Sequence, residues 1–233
     1  MTATPVELTA AQRTAFGQLA ETLAGIDRSA YTAHHRDWRA PIFGLGPASA
    51  PLCIFGRDPG RTEVEHQLPF VGRGGQLVRA GLYRHALGLP QAAPAPSFDA
   101  SVAAGANVFW LNTVPYKPVG NKAWSMAAKR RFQPLVAGLL LHAWQGHTVM
   151  MLGREAFFWF GIGQPAPTAA ALQAFWLRED RYTATLSIDY RNDGQTRPLR
   201  LAPLPHPSPA NAVWFKRFPA LLAARLEALV PTF

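Results

Sequence analysis

The sequence predicts an α/β fold in which a central four-stranded, mainly parallel sheet is covered by helices on both faces. Four short runs of apolar residues, each of which ends in a polar or turn residue, have the length and composition of strands that are buried on both faces. These runs cover residues 52–56, 107–112, 148–152 and 200–204. Segments with the apolar spacing of helices separate the first three runs. Strands that alternate with helices favour a parallel sheet with both faces covered.

The helices are predicted from apolar periodicity and from the residues that begin or break them. A first helix begins near Thr9, because Gln12 three positions later completes a capping box, and residues 28–50 are then broken by proline and glycine. A helix over 125–144 contains Pro134, which is expected to interrupt it. Further helices are predicted over 75–87, 154–161, 167–176 and 218–230.

A β-hairpin is predicted over residues 183–203, where apolar and polar residues alternate around an Asn-Asp-Gly turn. This hairpin lies before the fourth strand or includes it. The chain has 233 residues and no internal repeat. A single domain over 1–233 is therefore expected.

The chain is strongly basic, with a formal net charge of +9 and a pI of about 10.4. Such an imbalance favours a polyanionic partner, and nucleic acid is the first candidate. A basic surface that meets only solvent fits the same composition. Hydrophobic residues make up 48% of the chain and charged residues 16%, which predicts a packed core rather than disorder.

Several kinds of site and location are excluded or disfavoured by the sequence. Cys53 is the single cysteine, so neither an internal disulfide nor a cysteine-based metal site can form. The N-terminus lacks the pattern of a secretory signal, and the longest apolar stretch, 135–144, is too short to cross a bilayer. We expect a soluble cytoplasmic protein that does not associate with membranes.

Nucleotide, cofactor and metal motifs are not matched either. The glycine-rich segment 56–76 lacks the lysine of a phosphate-binding P-loop, and no segment has the three glycines of a dinucleotide fingerprint. His34 and His35 form the single close histidine pair, and adjacent residues on a regular element point apart. The sequence predicts no cofactor and no bound metal.

Three polar side chains follow predicted strands and are expected to meet at one edge of the sheet, where parallel α/β sheets bind their ligands. Asp58 is held by the proline after it, Asn112 offers the donor and acceptor that match a pyrimidine edge, and His206 lies in a proline-rich loop. A histidine held in this way can donate a proton or a hydrogen bond. Taken singly, the same residues also fit an ordinary turn, a strand-end cap and a surface loop.

Read together, the motifs in these segments resemble those of the uracil-DNA glycosylase superfamily, closest to its family-four and family-five type. The matching residues are GRDPG (56–60), PFVGRGG (69–75), Asn112 and HPSP (206–209). The resemblance spans roughly residues 50–215. It implies a three-layer α/β/α sandwich around a four-stranded parallel sheet, in agreement with the strand pattern.

The resemblance also implies an activity and a set of residue roles. Such proteins flip deoxyuridine out of DNA and hydrolyse its N-glycosidic bond without a cofactor. By motif, Asp58 positions the attacking water and stabilises the sugar cation, Phe70 stacks on the base, Asn112 recognises its edge, and His206 stabilises the departing uracil anion. Arg57 and Gly60 complete the expected base-binding set.

Contacts with DNA are expected from polar and basic side chains of the surrounding loops. These residues are Arg61, Arg73, Lys117, Lys122, Ser208, Asn211 and Lys216. The expected partner is DNA that contains uracil or other deaminated bases, bound by a monomer associated with the nucleoid.

The chain departs from the resembled families at several positions. Families four and five bind an iron–sulfur cluster through four cysteines, but two of those positions correspond here to Tyr116 and Phe132, which excludes the cluster. Gly60 replaces the family-one tyrosine that rejects thymine, and Ala210 replaces the leucine wedge that fills the vacated base stack. Substrate selection and the handling of duplex DNA are therefore left open, with Asn211 or Trp214 as candidates for the wedge.

Two functions stay open at this stage. The first is a glycosylase of the uracil-DNA type that acts in base excision repair. The second is a catalytically weak protein of the same fold that binds nucleic acid or damaged bases without cleaving them, and Arg57 beside the acid and the missing wedge favour this alternative. A covalent uracil-trapping enzyme is disfavoured because residues 129–133 lack its histidine, and a hydrolase of free nucleosides is disfavoured by the positive charge.

Overall fold

A computed structural model describes residues 4–209 and 212–230 of the chain. Its centre is a five-stranded sheet in the order β4-β3-β5-β7-β6, and a small two-stranded sheet joins β1 to β2. The strands are β1 (Pro5–Val6), β2 (Gly46–Pro47), β3 (Leu52–Gly56), β4 (Val108–Asn112), β5 (Thr148–Leu152), β6 (Leu186–Asn192) and β7 (Gln195–Leu204).

Helices connect and cover these strands. They are α1 (Ala10–Glu21), α2 (Arg28–Ala33), α3 (Arg61–His66), α4 (Arg73–Ala86), α5 (Phe98–Ala103), α6 (Met126–Gly138), α7 (Arg154–Trp159), α8 (Ala166–Trp176) and α9 (Ala212–Leu229). A 3₁₀ turn spans Val119–Asn121, and a π-helical turn continues α6 over Leu139–Ala143. In the described ranges no helix has both the length and the apolar character that a bilayer crossing requires.

The predicted α/β architecture is confirmed, but the predicted strand number of four is wrong. The four predicted strands form the parallel part of the sheet. The fifth strand, β6, pairs antiparallel with β7 as the first arm of the predicted hairpin. Its inward side chains Ile188 and Tyr190 are buried, while the alternating residues Ser187, Asp189 and Arg191 are exposed, which is the pattern of an edge strand with one covered face. The alternation was visible in the sequence, but whether the hairpin added a strand was not.

The sheet separates two hydrophobic cores, which gives the protein three layers. Alternate residues of each buried strand enter opposite cores: Cys53 and Phe55 of β3 face one, while Leu52 and Ile54 face the other. The first core is closed by α1, α6, α7 and α8, and the second by α4 and α9. Each large apolar side chain buried in this way contributes about 1.5–3 kcal/mol.

Two predictions about helices have different outcomes. The capping box at the start of α1 is confirmed, because Thr9 and Gln12 bond reciprocally. The predicted interruption at Pro134 is wrong, since α6 continues through it to Gly138. Pro134 and Arg130, whose carbonyl loses its helical partner, both lie on the exposed side of α6, where water can satisfy that carbonyl.

Candidate active site

A cavity of about 390 Å³ lies at the carboxyl ends of β3, β4 and β7, where the order of the sheet predicts a ligand site. Its lining includes most of the residues that the sequence singled out. These are Arg57, Asp58, Gly60, Arg61, Phe70, Arg73, Asn112, His206 and Ser208. Segments far apart in the chain meet here because parallel strands end at the same edge of the sheet.

Asp58 is fixed by two donors that come from different elements. Its Oδ1 accepts a hydrogen bond from Thr113 Oγ1 at 3.1 Å, and its Oδ2 accepts one from the backbone N–H of Trp124 at 3.4 Å. Burial raises the pKa of Asp58 from 3.8 to about 6. The positive charges of Arg57 and Lys129 and these two hydrogen bonds lower it, but their combined effect is smaller than that of burial. Asp58 is therefore a carboxylate at neutral pH, in a setting where that charge interacts strongly with a nearby cation.

Asn112 ends β4 with one side of its amide used and the other unpaired. Its side chain donates to the carbonyl of Arg57 at 2.5 Å. Because a carbonyl can only accept, the bonded atom is the amide nitrogen, and Oδ1 is left without a partner among the described residues although it is buried. An unpaired buried acceptor is costly in a folded protein, so this oxygen is expected to meet a donor from a ligand.

Glu63 is a site residue that the sequence analysis missed. Its buried carboxylate accepts hydrogen bonds from the backbone N–H groups of Gly60, Val71 and Gly72, at distances from 2.8 to 3.1 Å. A Cβ atom would come within 2.8 Å of this carboxylate at Gly60 and 3.0 Å at Gly72. Glu63 thus ties together the two halves of the 56–76 segment, and Gly60 serves as the N-cap of α3 at the same time. No motif in the sequence marks Glu63 for this role, because the backbone groups that it binds at Val71 and Gly72 approach it only after folding.

Phe70 lies in the cavity wall with an unusual backbone. Its φ of 58° falls in the left-handed region, which is strained for a non-glycine residue. The guanidinium of Arg79 holds this conformation by donating to the carbonyls of Phe70 at 2.8 Å and Pro69 at 2.9 Å. The Phe70 ring packs on Trp110 with 5.0 Å between centroids. Arg79, buried within α4, is a second positioning residue that the sequence analysis did not identify.

The glycines that begin α4 allow three segments to pack closely. A Cβ on Gly75 would collide with the backbone of Phe70, and one on Gly74 would collide with the carbonyl of Pro207. The phenylalanine turn and the histidine loop therefore both rest on the first turn of α4. These close contacts explain why glycine occupies both positions at the start of α4.

His206 is held in a buried loop against the start of α7. Its backbone carbonyl accepts from the N–H of Ser208 at 2.8 Å, and its Cβ lies against Gly153, where an added methyl group would approach within 2.9 Å. Burial, helped by the charge of Arg57 and opposed by Glu155, lowers the pKa of His206 from 6.5 to about 4. The imidazole is thus neutral at physiological pH, a state in which one ring nitrogen can donate a hydrogen bond and the other can accept one.

Lys129 and Glu155 form an ion pair whose two members affect the pKa values of the catalytic candidates Asp58 and His206. Lys129 lies on α6 and lowers the pKa of Asp58, while Glu155 lies on α7 and raises the pKa of His206. The Lys129 side chain is 6% exposed and that of Glu155 is 38% exposed. No local pattern predicts this pair, because its members are 26 residues apart in the chain.

The predicted DNA contacts fall into three groups. Arg61, Arg73, Lys122 and Lys216 are exposed, and Ser208 is half-buried in the cavity lining, so each can be reached by DNA. Asn211 lies outside the described residues. For Lys117 the structure contradicts the predicted phosphate contact, because its ammonium is buried and bonded to Asp27 at 2.8 Å and to the carbonyl of Pro118.

Lys117→Met is therefore expected to lower the free energy of unfolding by about 3 kcal/mol, since Asp27 keeps a charge without its partner. The pKa of Asp27 is lowered to about 2, chiefly by Lys117, so this stabilisation is present above pH 4 and is lost as the pH falls toward 2. Urea unfolding at pH 7 measures the effect, and the exposed Lys122→Met is the matched control. Equal stability of the two variants would contradict a structural role for Lys117.

The two positions that align with cluster cysteines are neighbours in the fold. The Tyr116 and Phe132 rings lie 5.6 Å apart between centroids, and both are fully buried. Phe132 also stacks on Phe16 of α1, at 6.4 Å. Aromatic packing therefore joins α1, α6 and the loop after β4 at this place.

Comparison with known proteins identifies the family of this site. The model of the uracil DNA glycosylase superfamily matches residues 43–230, a range that contains every element of the five-stranded sheet and every residue of the cavity lining. The chain belongs to the uracil DNA glycosylase superfamily. No curated protein matches the chain.

Membership in the uracil DNA glycosylase superfamily indicates a glycosylase-type enzyme with DNA as its substrate. The predicted resemblance is therefore confirmed at the level of the superfamily. The matched range begins at residue 43, so α1 and α2 lie before it.

Proposed function

We propose that the protein hydrolyses the N-glycosidic bond of flipped-out deoxyuridine in DNA, as the first step of base excision repair. The observation that carries the proposal is the unpaired, buried Oδ1 of Asn112 in a cavity that also contains a carboxylate and a neutral imidazole. This set of groups suits a pyrimidine that leaves as an anion. The reaction needs water as its only co-reactant.

Asn112 supplies the base recognition. Uracil carries a donor at N3 and an acceptor at O4, which complement the free Oδ1 and the second N–H of the Asn112 amide. Cytosine carries an acceptor at N3, which would face Oδ1 and leave two acceptors opposed. Because the amide is fixed by the Arg57 carbonyl, it does not rotate to suit cytosine without losing that hydrogen bond.

Asp58 and His206 supply the chemistry from opposite sides of the breaking bond. The C1′–N1 bond breaks and its electron pair goes to the uracil ring, where N–H donation from His206 to O2 stabilises the anion. The Asp58 carboxylate stabilises the sugar cation and orients a water, whose oxygen bonds to C1′ and whose proton is released through Asp58. No lysine is needed as a nucleophile, so the product is an intact strand with an abasic site.

The structure suggests a positioning and electrostatic role for Arg57 that was not predicted from the sequence. Its carbonyl orients Asn112, and its charge lowers the pKa of both Asp58 and His206. Within the part of the chain that the structure describes, no ion pair joins Arg57 to Asp58. This argues against the alternative of a protein that binds uracil without cleaving it, in which Arg57 would neutralise the acid.

The proposal is tested with oligonucleotides that contain one uracil. Purified protein should produce alkali-labile sites in single-stranded and duplex DNA, and a parallel series with hypoxanthine, xanthine and thymine defines the range. Uracil-DNA binding without cleavage of any of these bases would favour the alternative. Thymine is the informative comparison, because Gly60 presents no side chain to the 5-methyl group.

The ion pair predicts a specific change in pH dependence. Lys129→Met removes a positive charge that favours ionised Asp58, so the pH at which activity is half-maximal should rise above the wild-type value near 6. The control is Arg130→Met, which removes an equal charge from the exposed side of α6. Single-turnover rates between pH 5 and 9 measure both variants, and identical midpoints would show that Lys129 does not act on Asp58.

A further inference from the structure

A cluster of aromatic and cationic side chains lies outside the candidate active site. The Tyr182 and Trp214 rings meet edge to face with 4.9 Å between centroids. The guanidinium of Arg217 lies 5.2 Å from the Trp214 ring centroid, and that of Arg181 lies 4.9 Å from the Tyr182 ring centroid. We call these four residues the aromatic–arginine cluster.

The topology places this cluster at the active-site edge of the sheet. Its first part comes just before β6, which runs antiparallel to β7, and the first residue of β6, Leu186, pairs with Leu201 near the carboxyl end of β7. Its second part is at the start of α9. That helix begins at Ala212, three residues after Pro209 of the cavity lining, and three residues span at most about 11 Å.

The cations of the cluster are available to an external anion. Arg217 and its neighbour Lys216 are exposed, and in the described ranges neither is paired with a carboxylate. The aromatic rings of Tyr182 and Trp214 are half-buried, and Val213 beside them is 63% exposed. The patch thus combines apolar ring surface with unneutralised positive charge.

The contact between the rings is not what fastens α9 in place. Arg225, about three turns beyond Trp214 along α9, donates to the backbone carbonyls of Arg181, Thr183 and Ala184. This buried guanidinium already joins the helix to the segment before β6. The exposed first turn of α9 is therefore free to serve another purpose.

We propose that the aromatic–arginine cluster binds the DNA strand beside the flipped nucleotide, with an unpaired base stacked on Trp214 and the adjacent phosphate held by Arg217 and Lys216. The proposal rests on the proposed function, because it takes DNA as the substrate. Aromatic rings stack on any base and contribute about 1–3 kcal/mol per base, and cations bind phosphate with release of counterions.

Binding to an uncleavable oligonucleotide tests the stacking contact. The probe contains 2′-fluoro-deoxyuridine, with either an intact base or a tetrahydrofuran abasic unit at each flanking position. Trp214→Leu, which keeps an apolar side chain, should weaken binding of the intact probe about ten-fold, while Trp214→Phe should change it less than three-fold. At one flanking position the abasic unit should abolish the difference between wild type and Trp214→Leu. If the losses of affinity from Trp214→Leu and from the abasic unit are additive at every flanking position, the proposed stacking contact is wrong.

The phosphate contact is tested by the salt dependence of the same binding. Arg217→Ala should reduce the slope of log Kd against log salt by about one. Arg191→Ala is the control, because Arg191 is also exposed but lies beside the hairpin turn, at the opposite end of β7. Equal slopes for Arg217→Ala and wild type would show that Arg217 does not bind a DNA phosphate, and would favour a protein as the partner of the cluster.

Failure of the cluster proposal can be told apart from failure of the proposed function. Excision by wild-type protein in excess over DNA reports on the function, whereas affinity for the uncleavable probe reports on the cluster. If excision is normal but the losses of affinity from Trp214→Leu and from the abasic unit are additive, only the cluster proposal is wrong. If the two losses are coupled but no base is excised, the cluster proposal is supported and the glycosylase function is wrong. Thermal unfolding of Trp214→Leu, with Trp214→Phe as the conservative variant, shows that losses of affinity do not come from unfolding.

Discussion

Asp58→Asn is expected to lower the single-turnover rate of uracil excision about a thousand-fold at pH 7. Asparagine has nearly the same shape, and its single oxygen can accept from the Trp124 N–H while its amide N–H donates to the Thr113 hydroxyl, but it carries no charge to stabilise the sugar cation. Wild-type activity should rise with pH through the pKa of Asp58, about 6, because the carboxylate is the active form. In Asp58→Asn the remaining activity should lose this dependence.

Stability separates this loss from misfolding. The pKa of Asp58 is higher in the folded protein than its ordinary value of 3.8, so ionisation destabilises the folded state as pH rises from about 4 to 6. Above pH 6 the wild type bears this cost and Asp58→Asn does not. The variant should therefore unfold at the same temperature as wild type or higher at pH 7. Full excision by Asp58→Asn would disprove the role given to Asp58.

His206→Ala is expected to lower the excision rate about 10²–10³-fold, with a smaller effect on affinity for the uncleavable probe. The lost interaction is a hydrogen bond to O2 that strengthens as charge develops on the leaving uracil. Because the pKa of His206 is about 4, the imidazole stays neutral between pH 5 and 9, and the wild-type profile should show no fall that depends on His206.

A change of leaving group tests whether His206 acts on the departing anion. 5-Fluorouracil leaves as a more stable anion, so it needs less help from a hydrogen-bond donor. The loss caused by His206→Ala should therefore be smaller for 5-fluorouracil than for uracil. An equal loss for both bases would assign His206 to positioning of the substrate instead. The combined Asp58→Asn and His206→Ala variant should have almost no activity.

These expectations depend on residues that the sequence identified in part. Asp58, Asn112 and His206 were predicted from strand ends, because carboxyl ends of parallel strands meet at one edge whatever the length of chain between them. Glu63 and Arg79 were missed. Each acts through backbone groups of a loop whose path is fixed only after folding, so no local pattern announces it.

Charge was the least reliable guide. Lys117 and Lys122 are both lysines of one loop after β4, and the sequence assigned both to DNA. The fold buries Lys117 against Asp27, 90 residues away in the chain, and leaves Lys122 exposed. The tertiary structure decides which opposite charge lies near a charged side chain. The composition gives only the net charge of the chain, so it does not show which lysines are available to DNA.

By itself the sequence determined the α/β class, the parallel core of the sheet, the edge at which the site lies and the superfamily. Each of these depends on periodicity, on strand ends or on short motifs, which are local properties of the chain. The tertiary structure alone decided that β6 joins the sheet, that Phe70 is held in a strained turn by Arg79, and that the Asn112 acceptor has no partner among the residues that the structure describes. It also decided the protonation states of Asp58 and His206, because burial and distant charges set a pKa and neither is written in the neighbouring residues.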